Sequence, residues 1–244
     1  MIGIEENISN WILKKVEDAG ARGAILGLSG GLDSAVTALL CKRTVPTLAL
    51  IMDCASAKED IDLALEIARS YEIPHKLIKL DEVLRALLLA IHTTDVDKET
   101  LGNVKARLRM ITLYFHANQF NYLVVGTGNK SELSVGYFTK YGDGGVDILP
   151  LGDLYKTEVG EIARRMLLSR EVIERKPSAG LWEGQTDEGE IGMSYEELDS
   201  ILIGMPLKGK IEENKVRKIA EMTRISEHKR AKIPIFKVKR PLPD

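Results

Sequence analysis

Ser29-Gly30-Gly31-Leu32-Asp33-Ser34 sets two hydroxyls, two glycines and a carboxylate side by side. Glycines let backbone N–H groups crowd an anion without obstruction from Cβ atoms, and serine hydroxyls can donate to phosphate oxygens. A P-loop would carry Lys-Ser/Thr where this chain has Asp33-Ser34. Bare phosphate would repel Asp33, so the residue makes sense mainly as a ligand for Mg²⁺ bridging phosphates. The combination suits holding a polyphosphate as a leaving group rather than gripping a γ-phosphoryl for transfer. Two glycines with Asp and Ser also make ordinary capped turns.

Further along lie other groups that could do chemistry. Gly126-Thr127-Gly128-Asn129-Lys130-Ser131-Glu132 is a second glycine turn ending in a carboxylate. Gly136-Tyr137-Phe138-Thr139-Lys140-Tyr141-Gly142-Asp143-Gly144-Gly145 leads to Asp147 and to LPLGDLYKTEV, which contains Lys156. PSAGLWEGQTDE begins at Pro177 and includes Ser178, and His228-Lys229-Arg230 follows near the end. Taken singly, each has a bland reading. A helix dipole favours an acid such as Glu132 in a first turn, Thr127 is a β-branched strand end, and Lys156 and His228 suit solvent. An Asp between glycines, like Asp143, is a turn former. Asn103 and Arg107 share one helix face beside an apolar stripe of Leu101, Val104, Leu108 and Ile111.

The elements that must position these groups alternate through the first half. Strands are expected at Ala24–Leu28, Thr47–Met52, Lys76–Leu80 and Tyr122–Gly126, with helices at Asp33–Cys41, Lys58–Tyr71, Asp81–Ala90 and Leu101–His116. Ser56, three residues before Glu59, has the spacing of a capping box for the second helix. Near-continuous apolar strands between helices predict an α/β fold, a doubly wound parallel sheet with helices on both faces. Both glycine turns fall after strands and before helices, at the carboxyl edge where such sheets bind ligands. Residues 134 to 153 and 176 to 194 show no clean period, as binding loops or lids would. Trp182 in the second suggests a surface that closes over something. Helices return at Tyr155–Leu168, Ser194–Leu202 and Glu212–Ile225, with no repeat or linker, so one domain over residues 1–244 is expected.

Bulk composition narrows the classes. Net charge is −2, from 34 basic and 36 acidic residues, which demands neither nucleic acid nor an anionic membrane. Pro206–Arg240 is locally basic, but its cations interleave with apolar residues, as on a solvated helix face. Cys41 and Cys54 form no metal-binding pair or disulfide framework, and the acidic, amphipathic N-terminus is not a signal peptide. No apolar run spans a bilayer. A cytoplasmic protein with no membrane or nucleic-acid partner is expected.

The loop SGGxDS between strand and helix resembles the signature of the N-type ATP pyrophosphatases. Those enzymes split ATP between the α and β phosphates, adenylate an oxygen and release pyrophosphate. The ordered blocks from residue 25 to residue 230 are similar to those of the ammonia-dependent NAD synthetases. The resemblance implies an adenine nucleotide alpha hydrolase-like, Rossmann-like fold and an AMP-forming ligase that amidates deamido-NAD through an acyl adenylate. It also implies ATP contacts at Gly27, Leu28, Ser29, Gly30, Gly31, Leu32, Asp33, Ser34, Thr127, Lys156 and Ser178, where relatives often carry Thr. Mg²⁺ would sit on Asp33 and Glu132. Deamido-NAD would meet Arg107, Lys140, Asp147, His228 and Lys229, with Asp143 and Lys156 as catalytic groups and a homodimer as the assembly. The synthetase blocks fill the chain and neither cysteine has a nucleophile's context, so ammonia, free or from a separate subunit, is the expected nitrogen donor. The rivals are another pyrophosphatase-loop ligase, a tRNA thiolase, or a nucleotide-sensing module.

Overall fold

The computed structural model describes residues 3–93, 95–182, 184–204 and 212–238. Its elements are α1 (Ile4–Asp18), β1 (Gly23–Gly27), α2 (Leu32–Lys42), β2 (Thr47–Asp53), α3 (Lys58–Ser70), β3 (His75–Lys79), α4 (Asp81–Ala90) and α5 (Lys98–Phe120). There follow β4 (Tyr122–Val124), α6 (Lys130–Val135), α7 (Lys156–Arg165), α8 (Arg170–Glu174), α9 (Asp187–Ile191), α10 (Tyr195–Ile203), α11 (Glu213–Ile225) and α12 (Glu227–Arg230).

The four strands form one parallel sheet in the order β3-β2-β1-β4. Side chains alternate across its faces. Ala24, Leu26, Ala49 and Ile51 pack with Ile12 of α1, Leu40 of α2, Ile67 of α3 and Ile162 of α7. Ile25, Leu50, Met52 and Val124 pack on the other side with Leu84 of α4 and Leu113 of α5. Both faces are therefore covered, as the unbroken apolar strands predict. A third cluster joins Val135 of α6, Ile191 of α9, Leu198 of α10 and Ile219 of α11.

Strand order reverses beside β1: β2 and β3 are added on one side and β4 on the other. A crevice opens at such a switch point, at the carboxyl ends of the two strands that flank it. The Ser29–Ser34 loop leaves β1 there, and the Gly126–Glu132 turn leaves β4. The first irregular segment, residues 134–153, is pinned beside them, because Gly126 N–H donates to Ile148 O at 2.9 Å and Asp147 N–H to Val124 O at 2.9 Å.

Several local expectations change. Ser56 does not cap α3, whose N-cap is Ala57 without a side-chain bond. Its Oγ instead accepts from Cys54 N at 3.3 Å and Arg109 Nη2 at 3.1 Å. α5 starts earlier than its apolar stripe because Asp97 caps it, accepting from Thr100 N at 2.8 Å, and it ends where Asn121 turns left-handed. α7 stops at Arg165 rather than Leu168, since Leu167 has φ of 57°. Segment 176–194 contains α9, capped by Thr186. In the basic C-terminal stretch, residues 205–211 and 239–244 lie outside the described residues; in the rest, Lys215, Arg217 and Arg224 pair with Glu197, Glu213 and Glu221. Among the described residues, no helix is long and apolar enough to cross a membrane.

Candidate active site

The loop after β1 is shaped by its own hydroxyls. Ser34 Oγ accepts from Ser29 N at 3.2 Å and donates to Gly31 O at 2.9 Å, while Ser29 Oγ accepts from Gly31 N at 3.2 Å. Gly30 has φ of +81°, and a Cβ there would sit 2.9 Å from the Asp60 carbonyl, so this position needs glycine. α2 begins with no side-chain cap, which leaves its first-turn N–H groups open to an anion. Gly27, Leu28, Ser29, Gly31, Leu32, Asp33 and Ser34 line a cleft of about 1180 Å³.

Two carboxylates, one after each flanking strand, meet at one ammonium. Lys156 Nζ, at the start of α7, ion-pairs with Asp33 and lies 3.7 Å from Glu132 Oε1; the side chains are 9%, 14% and 17% exposed. A capping box positions Glu132, with Asn129 Oδ1 accepting from Glu132 N at 3.0 Å and Glu132 Oε2 from Asn129 N at 3.1 Å. Asn129 Nδ2 also donates to Asp33 Oδ1 at 3.2 Å. The buried carboxylate of Asp199 ties α6 to α7: Ser131 Oγ donates to it, as do Thr157 N at 3.0 Å and Thr157 Oγ1 at 2.8 Å. Burial opposes the charge on Lys156, but Asp33 and Glu132 outweigh it and hold the lysine's pKa above its ordinary value. Burial, and then the charge of Asp33, push the Glu132 carboxyl well above the usual range in spite of Lys156.

The remaining expected residues spread along the same cleft with one exception. Thr127, Ser178, Arg107, Lys140, Asp143, His228 and Lys229 all line it. Ser178 Oγ donates to Gln185 O at 2.8 Å. Arg107 Nη2 donates to Lys140 O at 3.2 Å, and Lys140 Nζ to His228 O at 2.5 Å, so Arg107, Lys140 and His228 are linked in series along the rim. Lys229 Nζ holds the carbonyls of Gly136 at 2.7 Å and Phe138 at 2.8 Å. Asp143 is open to the cleft and accepts from Thr139 N at 2.9 Å. Crowding by the cleft walls strips enough water from its carboxyl to push its pKa up, against that bond. Asp147 stands apart: it accepts from Val124 N at 2.8 Å and Tyr114 OH at 2.9 Å and does not line the cleft.

The sequence model of the NAD synthase family matches residues 4–233. The chain belongs to the NAD synthase family. It is 47% identical to the NH₃-dependent NAD⁺ synthetase of Carboxydothermus hydrogenoformans over 92% of this chain and 93% of that one. It is 45% identical to the enzyme of the same name from Archaeoglobus fulgidus, over 97% of each chain. The solved structure of NMN synthetase from Francisella tularensis superimposes with a TM-score of 0.89 at 38% identity, covering 96% of this chain and 98% of that one.

In this NAD synthase family site, two further residues join the acids around Lys156. Asp187, 4% exposed, accepts from Tyr195 OH at 3.0 Å, and its buried Oδ1 has no hydrogen-bond partner among the described residues. Tyr195 OH also reaches Glu132 Oε1 at 3.5 Å, and Lys156 Nζ lies 5.1 Å from the Tyr195 ring centre. Burial pushes the Asp187 carboxyl up; burial and then the nearby carboxylates push the Tyr195 hydroxyl up. Hard oxygen donors, an orphaned carboxylate oxygen and three acids against one lysine fit a divalent cation such as Mg²⁺. No three metal-binding side chains among the described residues cluster closely enough to enclose an ion. Nothing in the spacing of Asp187 and Tyr195 marked them, since only the packing of α9 and α10 brings them to Glu132.

Proposed function

We propose that the protein is an ammonia-dependent NAD synthetase, a single domain that amidates the nicotinate carboxylate of deamido-NAD at the expense of ATP. The observation that carries this is one cleft holding a glycine-hydroxyl loop, a lysine between two acids and a cationic rim. In this reading the loop, the N-terminus of α2 and Lys156 hold the β and γ phosphates of ATP. Asp33 and Glu132 would hold Mg²⁺, which when bound offsets the charge on the phosphates. The nicotinate carboxylate attacks the α-phosphorus, and Lys156 stabilises the departing pyrophosphate.

Ammonia then displaces AMP from the acyl adenylate. Near neutral pH ammonium predominates, so the nucleophile must lose a proton. Asp143, with its raised pKa and glycine neighbours, accepts it. Arg107, Lys140, His228 and Lys229 hold the dinucleotide's pyrophosphate and carboxylate, and segment 176–186 keeps water from the adenylate. Lys105 supports that cover by donating from Nζ to Leu181 O at 2.7 Å.

The reading extends to a cytoplasmic homodimer. Ile111 and Phe115 of α5 are 58% and 64% exposed, and Leu89 and Ile91 near the end of α4 are 68% and 56% exposed. So much unpartnered apolar side chain suits a subunit interface.

Incubation with ATP, Mg²⁺, ammonium and deamido-NAD tests the reading. NAD, AMP and pyrophosphate should appear in equal amounts, and ATP binding without turnover would refute it. A second reading has one observation behind it, the likeness to a protein named NMN synthetase. It holds that the acid substrate is the mononucleotide, and kcat/KM for the two acids decides between them.

A further inference from the structure

We propose that Arg175 and Asp60 clasp the phosphate-binding loop, which makes Arg175 a positioning residue for the diphosphate leaving group. The proposal rests on reading the cleft as an ATP site that releases pyrophosphate. Arg175 follows α8, and Asp60 lies in the first turn of α3. The two form a half-buried ion pair, with side chains 26% and 22% exposed. Arg175 Nη1 also reaches the Gly30 carbonyl at 3.4 Å. Gly30 is sandwiched, because a Cβ there would sit 3.0 Å from Arg175 Nη1 and 2.9 Å from the Asp60 carbonyl. Asp60 bears on the cover segment too, since a Cβ on Gly180 would lie 3.1 Å from its Oδ2.

The peptide group explains why this matters. In a planar trans peptide, C=O and N–H point in opposite directions. Holding the Gly30 carbonyl on Arg175 therefore fixes the Gly31 N–H on the side of Ser29 Oγ and the cleft. A released carbonyl could swing toward the phosphates, where its partial negative charge would repel them. One ion pair thus links three segments: the loop after β1, the start of α3 and the segment that covers the cleft.

Calorimetry with Mg²⁺ and pyrophosphate reads the clasp without turnover. Arg175→Gln should weaken binding about tenfold, the scale of one lost charge-assisted hydrogen bond. Arg175→Lys should recover part of the loss, and affinity for deamido-NAD should not change. Should Arg175→Gln not fold, Asp60→Asn reads the same constant and should weaken it in the same direction. Pyrophosphate affinity equal to wild type in the folded variant, or equal losses for both ligands, overturns the clasp. A wild type that binds no pyrophosphate overturns the functional reading and the clasp with it.

Discussion

Replacing Asp33 by Asn separates the fold from the chemistry. The substitution keeps the size of the side chain but removes the charge nearest Lys156. Breaking a buried ion pair by deleting one partner commonly costs about 3–5 kcal/mol. Here the lysine keeps Glu132 at 3.7 Å. At an effective dielectric near 20, an ion pair at that distance attracts with ~4.5 kcal/mol. Repulsion between Asp33 and Glu132 disappears at the same time. The net loss should be about 1–2 kcal/mol, a fall in Tm of roughly 2–8 °C for a chain of this size. Catalysis should fall much further, by about 10²–10³-fold, the scale of losing one group aimed at developing charge. Thermal melts and deamido-NAD-dependent pyrophosphate–ATP exchange, run on the same preparation, measure both. Exchange near the wild-type rate would remove Asp33 from the mechanism, and a collapsed fold would show that Glu132 cannot support Lys156 alone.

Other outcomes follow from the same geometry. Asp143→Asn should keep pyrophosphate–ATP exchange but raise the KM for ammonium about tenfold or more, as loss of a general base would; an unchanged ammonium dependence refutes that role. Burial pushes the Cys41 thiol up from 9.0 to about 12. The unfolded thiol therefore ionises first, so this residue's contribution falls as pH rises from 9 toward 12, by about 1.4 kcal/mol per unit. Denaturant melts of Cys41→Ala against wild type across that range should show a shallower decline in the variant, and identical slopes would contradict the burial. Phe115→Glu should convert a dimer into monomers by light scattering, and a wild type already monomeric sinks the interface.

Much of the site was legible because its chemistry is local. The six residues from Ser29 to Ser34 shape themselves through hydroxyl–backbone bonds, so their spacing alone reveals the turn. Strands β1 and β2 were readable as apolar runs because both faces of the sheet are buried. Lys156 was different: its residue type suits solvent, and only likeness to a family marked it. Asp187, Tyr195 and the Arg175–Asp60 pair were invisible, since the pair is 115 residues apart in sequence and only the tertiary fold unites it. Ser56 misled because a hydroxyl before an acid reads as a cap, while Arg109 competes for the same oxygen. The strand order was unreadable because equal strand-helix units fit either side of β1.

The central claim is that the nicotinate oxygen, not water or ammonia, attacks ATP at its α-phosphorus. Deamido-NAD labelled with ¹⁸O in the nicotinate carboxylate tests it directly. One labelled oxygen should appear in AMP and none in pyrophosphate. Label released as water with none in AMP, or released in orthophosphate alongside ADP, would contradict the account.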